Sequence, residues 1–569
     1  MVEKTYKWWQ KTVVYQVYPR SFKDSTGNGI GDLPGIIEKL DYLQDLGVET
    51  IWFSPFYPSP TFKPYSQHDC GYDISNYKDI HPEYGTMEIF DNLVKEIHDR
   101  NMKIVLDMVL NHTSIEHPWF KESRSSRDNT KRDWYIWRDG RKPNGKKPPN
   151  NWRSIIGKGW DYDSHTDQWF YHAFLPFQPD LNFRNPEVQK EMLDTVRFWL
   201  KKGVDGYRLD IINALFEDAE FRNAPFIFKL FLEDSGSFFK SSKMTLNHPD
   251  TYEFCKILRE TIDEFPDKFL VGEIGEKKIS ASLKILKNYL GDVCKDGTSN
   301  DGLNLVFLFQ SMSTPMKAKR FRNLMKMYEK WFPYPYTPTW VFGNHDQRRR
   351  ITKIGDNINK AKINVTLQLT ARGVPFIYYG EELGMKEAKS RKKDSRDAIA
   401  HYFNWVPQFM QNILVKYGIP INRDGCRTPM QWDDSENAGF CPPDIEPWLQ
   451  VDPSFVKRNV NKEEKDVGSL LHCYKKLLKV RNEYLALQLG DFELINLKGL
   501  NKVCLAYYRI YENQKIYVYL NFANKELEIR SPLQNPQLIF STLSNRDALN
   551  LKVYNGNFKL TLYEGIIFK

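Results

Sequence analysis

Gly203-Val204-Asp205-Gly206-Tyr207-Arg208-Leu209-Asp210-Ile211-Ile212-Asn213 is the stretch on which the reading of the chain turns. Residues 206–212 form a short apolar run interrupted by charge at two alternate positions, Arg208 and Asp210. In a β-strand alternate side chains share a face, so the guanidinium and the carboxylate point the same way. Such a pair serves stability poorly, because desolvating two charges can cost more than their attraction returns. It suits a site in which an arginine holds a carboxylate ionised and aimed. A surface Arg–Asp pair on an edge strand is the competing reading, and other runs in the chain decide between the two.

Working outward, eight short β-rich runs recur at 13–18, 50–55, 103–109, 206–212, 269–275, 303–309, 339–344 and 375–380. Amphipathic helical patterns lie between them, as at 33–46, 87–100 and 188–202. Eight strands alternating with helices predict an α/β fold, a (β/α)8 TIM barrel, with its chemistry at the C-terminal ends of the strands. Three places break the alternation. Residues 112–177, rich in Trp, Pro, Asn and Gly, are too long for a loop and predict a small inserted domain between barrel segments 1–111 and 178–490. Residues 381–440 form a lid excursion over the same face. From 491 to 569 the pattern alternates, as expected of a C-terminal antiparallel β-sandwich. The segment 216–247 reads as an insertion after the fourth strand.

Several strands end in chemistry of one kind. The third ends Asp107-Met-Val-Leu-Asn111-His112, the fifth carries Glu273, and the seventh ends Asn344-His345-Asp346. Two carboxylates flanking one bond, one nucleophile and one acid/base, are what glycoside hydrolysis requires. A third carboxylate and two imidazoles suit sugar hydroxyls and positive charge at an anomeric carbon.

Bulk properties exclude several other classes. The 569 residues allow two or three domains. The net charge of +9, set by 81 Lys and Arg against 72 Asp and Glu, is mild. Basic clusters at 146–147 and 391–393 come with no nucleic-acid motif, so no nucleic-acid partner is expected. Aromatic residues make up 14%, a level common in proteins that stack on sugar rings and also in large cores. The 7 Cys are scattered without CxxC spacing, which argues for a reducing compartment and against a disulfide framework or zinc site. No run of about 18 apolar residues occurs, and the start, Met-Val-Glu-Lys-Thr-Tyr-Lys-Trp-Trp, has no apolar signal core. A soluble cytoplasmic protein with no membrane partner, monomeric or weakly dimeric, is expected.

An ordered series of motifs then gives a resemblance. Val14-Tyr-Gln-Val-Tyr-Pro-Arg-Ser-Phe22, Gly71-Tyr-Asp-Ile-Ser75, Asp107 to His112, Gln178-Pro-Asp-Leu-Asn182, Gly206 to Asp210, Gly272-Glu273, Asn344-His-Asp346 and Arg427-Thr-Pro-Met-Gln-Trp432 span nearly the whole chain. The chain resembles glycoside hydrolase family 13, the α-amylase family, and within it the oligo-1,6-glucosidase and α-glucosidase subgroup that the Gln-Pro-Asp-Leu-Asn segment marks.

The resemblance implies a retaining α-glucosidase acting on short oligosaccharides without an organic cofactor. It assigns Asp210 as nucleophile, Glu273 as acid/base and Asp346 as transition-state stabiliser. Asp69, Tyr72, His112, Phe174, Gln178, Arg208, His345 and Arg423 match positions around the first glucose. Tyr72 and Phe174 could equally be core aromatics, and Arg427 could take the role of Arg423. Ile211, just after the nucleophile, falls where in relatives Val accompanies α-1,6 cleavage and Ala or Thr accompanies α-1,4 or broader action. The loop Asp24, Thr26, Asn28, Ile30, Asp32 spaces oxygen donors at alternate positions, as EF-hand loops do. The resemblance implies a structural Ca²⁺ there, with a metal-free turn as the alternative. Arg348 stands where relatives often carry Pro. Rival readings are an α-1,4-glucosidase, a sucrose-acting transferase or isomerase, and a non-catalytic relative such as a transporter heavy subunit.

Overall fold

The computed structural model describes residues 6–60, 69, 71–225, 242–275, 279–389, 395–403, 405–416, 421–530, 536–546 and 557–569. Cys70, the basic cluster at 391–393 and residues 226–241 of the insertion lie outside them. Eight parallel strands run in the order β6-β5-β4-β3-β2-β1-β8-β7. They are β1 (Val14–Val17), β2 (Thr50–Phe53), β3 (Lys103–Val109), β4 (Gly206–Asp210), β5 (Phe269–Gly272), β6 (Leu305–Val306), β7 (Thr339–Val341) and β8 (Val374–Tyr378). The barrel closes between β6 and β7 through hydroxyls. Thr339 Oγ1 donates to the Val306 carbonyl and accepts the Leu308 N–H, both at 2.9 Å. Ser311 Oγ donates to the Val341 carbonyl at 2.6 Å. Side-chain bridges in place of a ladder explain why β6 is shorter than the expected 303–309.

The period of two sorts residues to the two faces of the strands. Val14, Trp52, Val105, Phe269, Val271, Leu305, Val341, Val374 and Phe376 cluster inside the barrel. Their neighbours Tyr15, Ile51, Ile104, Leu106, Tyr207, Leu209 and Ile377 join the larger core beneath the helices. Climbing the inner columns of β3, β4 and β5, apolar residues give way to charge. Val105 is followed by Asp107, Gly206 by Arg208 and Asp210, and Val271 by Glu273. Parallel register sets Arg208 level with Asp107 on β3 and Val271 on β5. Gly206 is small because a Cβ there would lie 2.4 Å from the Phe269 carbonyl oxygen and 2.6 Å from the Phe269 ring.

The helices carry ordinary start signals. Thr86 caps Met87–Asp99, and Asn185 caps Pro186–Lys201 with proline in the first turn. The pattern at 33–46 resolves into two helices, Leu33–Glu38 and Leu40–Leu46. They break at Lys39, whose ammonium lies 4.6 Å from the centre of the Trp432 ring.

After β3 the chain forms a small antiparallel sheet from Trp137–Arg138, Gln168–Tyr171 and Trp160–Asp163. It is packed around Trp152, Trp160 and Tyr171. Single bridges from His112 to Asp180 and from Tyr135 to Leu181 tie this segment to the barrel mouth. At the other end, five antiparallel strands (Asp491–Leu494, Cys504–Tyr511, Gln514–Asn521, Gly565–Phe568, Leu538–Ser541) face a second pair, Leu527–Arg530 and Asn557–Leu560. Tyr519, Phe558 and Leu560 fill the space between them. Arg509 fastens this sandwich to the barrel by donating to the carbonyls of Thr370, Leu487 and Gly490.

Candidate active site

Arg208 is fully buried at the top of the inner column of β4, and three carboxylates share it. Its Nη1 donates to Asp107 Oδ1 at 2.6 Å and to Asp210 Oδ1 at 2.9 Å. Its Nη2 contacts Glu273 Oε2. Two carboxylates held on two nitrogens of one planar fork cannot stand far apart. Asp107 is also bonded by Tyr72 OH at 3.1 Å and Trp52 Nε1 at 3.3 Å. It is the residue most plainly missing from the expected site. Its position two residues above Val105, level with Arg208, was the available signal.

The second group centres on the loop after β7. His345 stacks on Tyr72, with ring centres 5.3 Å apart. Gln16 Nε2 lies 2.8 Å from His345 Nδ1, and with that amide donating, the imidazole proton sits on Nε2. His345 Nε2 is 2.7 Å from Tyr72 OH and 3.2 Å from Asp346 Oδ2. Asp346 Oδ1 accepts from Arg423 Nη1 at 3.0 Å and from Arg427 Nη2 at 2.9 Å. Both arginines thus hold the same carboxylate oxygen. Arg423 Nη2 also reaches Asp69 Oδ1 at 2.6 Å, bringing Asp69 to the same centre.

The carboxylates of Asp210 and Asp346 sit in opposite fields. Burial pushes the Asp210 carboxyl up to about 7. Arg208 opposes the shift, while Asp107, Asp346 and Asp69 add to it. Burial also acts on Asp346, yet charged neighbours hold it well below the usual carboxylate range. His345 is the nearest in effect of those neighbours, but burial drives its own pKa down to about 3. It is uncharged at neutral pH, so the guanidiniums of Arg423 and Arg427 carry the effect.

The remaining expected residues are placed less directly. His112 lies beside Phe174, with ring centres 5.3 Å apart. Both His112 nitrogens are occupied, Nε2 by the Tyr72 carbonyl at 3.2 Å and Nδ1 by Asn111 at 3.3 Å. Gln178 is buried, and its Oε1 accepts the Leu175 N–H at 3.2 Å, closing the turn before Asp180. Ile211 ends β4 with φ 35° and ψ 45°, left-handed and costly for a β-branched residue. It explains why the strand stops at Asp210 and not at residue 212. The Ile211 Cδ1 comes within 3.8 Å of a Cβ built on Gly275, two residues past Glu273.

In the 24–32 loop the carboxylates meet the loop's own amides. Asp32 Oδ1 accepts from Ser25 Oγ and Gly35 N, and Oδ2 from Ser25 N and Thr26 N. Asp24 accepts from Gly27 N and Gly29 N, and Asn28 Oδ1 from Ile30 N. Four donors use the lone pairs of Asp32, which is also the N-cap of the helix Leu33–Glu38. Asp32 thus does not fit a metal, whereas Asp24, Thr26, Asn28 and the Ile30 carbonyl retain acceptor capacity.

The geometry has counterparts among known proteins. The α-amylase catalytic-domain family matches residues 16–490. The chain is 37% identical to an oligo-1,6-glucosidase of Parageobacillus thermoglucosidasius, with 99% of each chain covered. It is 35% identical to an α-glucosidase of Candida albicans, covering 96% of this chain and 98% of that one. Among solved structures, the trehalulose synthase MutB of Pseudomonas mesoacidophila superposes with a TM-score of 0.86 at 31% identity, covering 99% of this chain and 100% of the other. The barrel and the appended sandwich agree with these matches: the chain belongs to the α-amylase family of glycoside hydrolases.

Proposed function

We propose that the protein is a retaining α-glucosidase that releases terminal glucose from short α-linked oligosaccharides and favours α-1,6 links. The observation carrying this reading is that Asp210 and Glu273 engage two nitrogens of the same guanidinium. Retention needs the two carboxyl groups about 5–5.5 Å apart, whereas inversion needs about 6.5–9.5 Å to admit a water. In the first step an Asp210 oxygen bonds to the anomeric carbon, the glycosidic C–O bond breaks, and Glu273 gives its proton to the departing oxygen. In the second step water attacks the glucosyl–Asp210 ester, Glu273 takes a proton from that water, and Asp210 leaves as carboxylate. Asp346, anchored by two arginines, faces the positive charge that develops between these states. Asp69, Tyr72, His345 and Arg423 bind the first glucose, with His112, Phe174 and Gln178 shaping the wall behind it.

Linkage preference rests on Ile211. Its stiff side chain stands between the nucleophile and Gly275, where the second sugar must pass. A fixed wall there penalises an α-1,4-linked ring more than an α-1,6-linked one, whose additional C6 bond carries it further out. Incubation with isomaltose, maltose, sucrose and trehalose, with products separated by chromatography and the first-formed anomer followed by NMR, tests the whole reading. Release of α-glucose chiefly from isomaltose is expected. β-Glucose as first product, or no glucose from any of the four, refutes it. Transfer to a second sugar is the runner-up, favoured by the full-length likeness to a trehalulose synthase, and would appear as new disaccharides in the same chromatogram.

A weak Ca²⁺ site at Asp24, Thr26, Asn28 and the Ile30 carbonyl completes the proposal, its role being to fasten the loop after β1. One carboxylate among hard oxygen donors belongs to the millimolar class of such sites. A cytoplasmic, monomeric or weakly dimeric enzyme is also proposed. Among the described residues the six cysteines are free, five of them buried, and no helix is long and apolar enough to cross a membrane.

A further inference from the structure

Asp397 lies in the excursion after β8, outside every motif in the sequence, as N-cap of the helix Ala398–Tyr402. It is fully buried, and its two oxygens accept four donors. Oδ2 takes the Arg423 N–H at 2.6 Å and Arg423 Nε at 3.0 Å. Oδ1 takes Arg423 Nη2 at 2.7 Å and the Ile399 N–H at 3.1 Å. One carboxylate thus fixes both the backbone and the guanidinium of Arg423, in the bidentate geometry that sets direction as well as attraction.

What Arg423 does next makes this more than a buried ion pair. Its Nη1 holds Asp346 and its Nη2 holds Asp69. The two carboxylates depend on it unequally. Asp346 keeps Arg427 at 2.9 Å if Arg423 moves. The Asp69 carboxylate is held, among the described residues, by Arg423 alone. We propose that Asp397 is a positioning residue that aims Arg423 at Asp69 and so sets affinity for the first glucose. The proposal rests on the α-glucosidase reading, in which Asp69 binds that sugar.

The consequence is a separation of kinetic constants. Interactions made equally in ground and transition states move KM and leave kcat, whereas those made only in the transition state move kcat. Asp397→Asn keeps the shape but turns an amide NH₂ toward the donors of Arg423. With Asp69 released and Asp346 still held, KM for p-nitrophenyl α-glucoside and the inhibition constant of glucose should rise together by about tenfold or more, with kcat within about threefold. Asp69→Asn should do the same, and the double variant should be no worse than the poorer single, since residues acting through one partner are not additive. Asp397→Glu, which keeps the charge, should recover part of the loss.

A purely structural role predicts otherwise: a lower melting temperature and a smaller active fraction with KM, glucose inhibition and pH profile unchanged. That outcome, or additive effects of the two Asn variants, overturns the proposal. If Asp397→Asn does not fold, Asp397→Glu against Asp69→Asn decides by the same KM comparison. A wild type inactive on the glucoside would instead sink the functional reading, and calorimetric glucose affinities of wild type and variants would then decide the role of Asp397 alone.

Discussion

Replacing Asp210, the nucleophile of the proposed mechanism, should remove activity and stabilise the fold, and the size of the second effect depends on pH. In Asp210→Asn the attacking oxygen is lost, so kcat should fall by at least about 10⁴-fold. The carboxyl of Asp210 is raised from 3.8 to about 7 in the folded protein. The sign follows from linkage. A group whose folded pKa lies above its unfolded value favours folding only while protonated. Its cost is absent below about 4, grows as pH rises toward 7, and is complete above that. A shift of about 3 units corresponds to about 4 kcal/mol at 1.36 kcal/mol per unit, an upper bound because coupled carboxylates relax together. The side chain is only 13% exposed, so water screens little of it.

Arg208 is not stranded by the change, since Asp107 stays on Nη1 at 2.6 Å and Glu273 on Nη2. A net stabilisation on the order of 1–3 kcal/mol at pH 8 remains. Thermal scans of wild type and Asp210→Asn at pH 4.5 and pH 8 read it directly. The variant should melt a few degrees higher at pH 8, and the difference should close toward pH 4.5. The wild-type kcat/KM, which reports the free enzyme, should fall on its acid side with an apparent pKa near 7. A variant that melts lower than the wild type at both pH values, or a difference indifferent to pH, would show that Arg208 outweighs burial and refute the reasoning.

Other perturbations test other parts of the molecule. Ile211→Ala should open the wall beside the nucleophile and raise kcat/KM for maltose relative to isomaltose by about tenfold, the scale of a steric mismatch in an apolar pocket; an unchanged ratio removes Ile211 from specificity. Arg509→Met should destabilise by about 3 kcal/mol, because the carbonyls of Gly490 and Thr370 lose a buried donor; an unchanged melting temperature would mean the sandwich docks by apolar packing alone. Calcium at about ten times its dissociation constant should stabilise the native state by about 1.4 kcal/mol over a chelated sample; melting indifferent to 10 mM CaCl₂ and to EDTA would show that the 24–32 loop is held by its amides.

The barrel was legible because strands buried on both faces leave little freedom. Period two sends Tyr207 and Leu209 to the helices and Arg208 and Asp210 to the interior, whatever the neighbours are. The inner columns could thus be read one strand at a time, and with them the acidic mouth. What could not be read required two strands at once. Asp107 could be read as a charged strand end, but its bond to Arg208 shows only when parallel register sets the two level. Asp397 meets Arg423 only through the tertiary fold, with no spacing rule relating residues 26 positions apart. The left-handed conformation of Ile211 was also hidden, since propensity disfavours it and only the surrounding structure enforces it. The pattern at 33–46 kept one amphipathic phase across Lys39, so periodicity had no means of marking the break.

The distribution of guanidiniums divides the labour among the carboxylates. Arg208 is one cation for Asp107, Asp210 and Glu273, while Asp346 has two, Arg427 and the Arg423 that it shares with Asp69 and Asp397. Asp346 is therefore ionised under any working condition, as suits a group that must already be negative when charge builds at the anomeric carbon. Asp210 shares its cation with two competitors and keeps a high proton affinity. A carboxylate of that kind is the better nucleophile once ionised, and it remains able to leave when water attacks the ester. The difference does not arise from residue type, since both are aspartates at strand ends in the same mouth. It follows from strand register, which gives β4 one arginine to share with its neighbours β3 and β5, and from the excursion after β8, which brings two more to β7. Moving a single guanidinium would therefore reassign roles without touching a catalytic residue. Arg427→Met should raise the Asp346 carboxyl toward its ordinary range and add a second acid-side ionisation to the pH profile of kcat/KM, and a profile identical to the wild type's would leave Arg423 as the sole determinant.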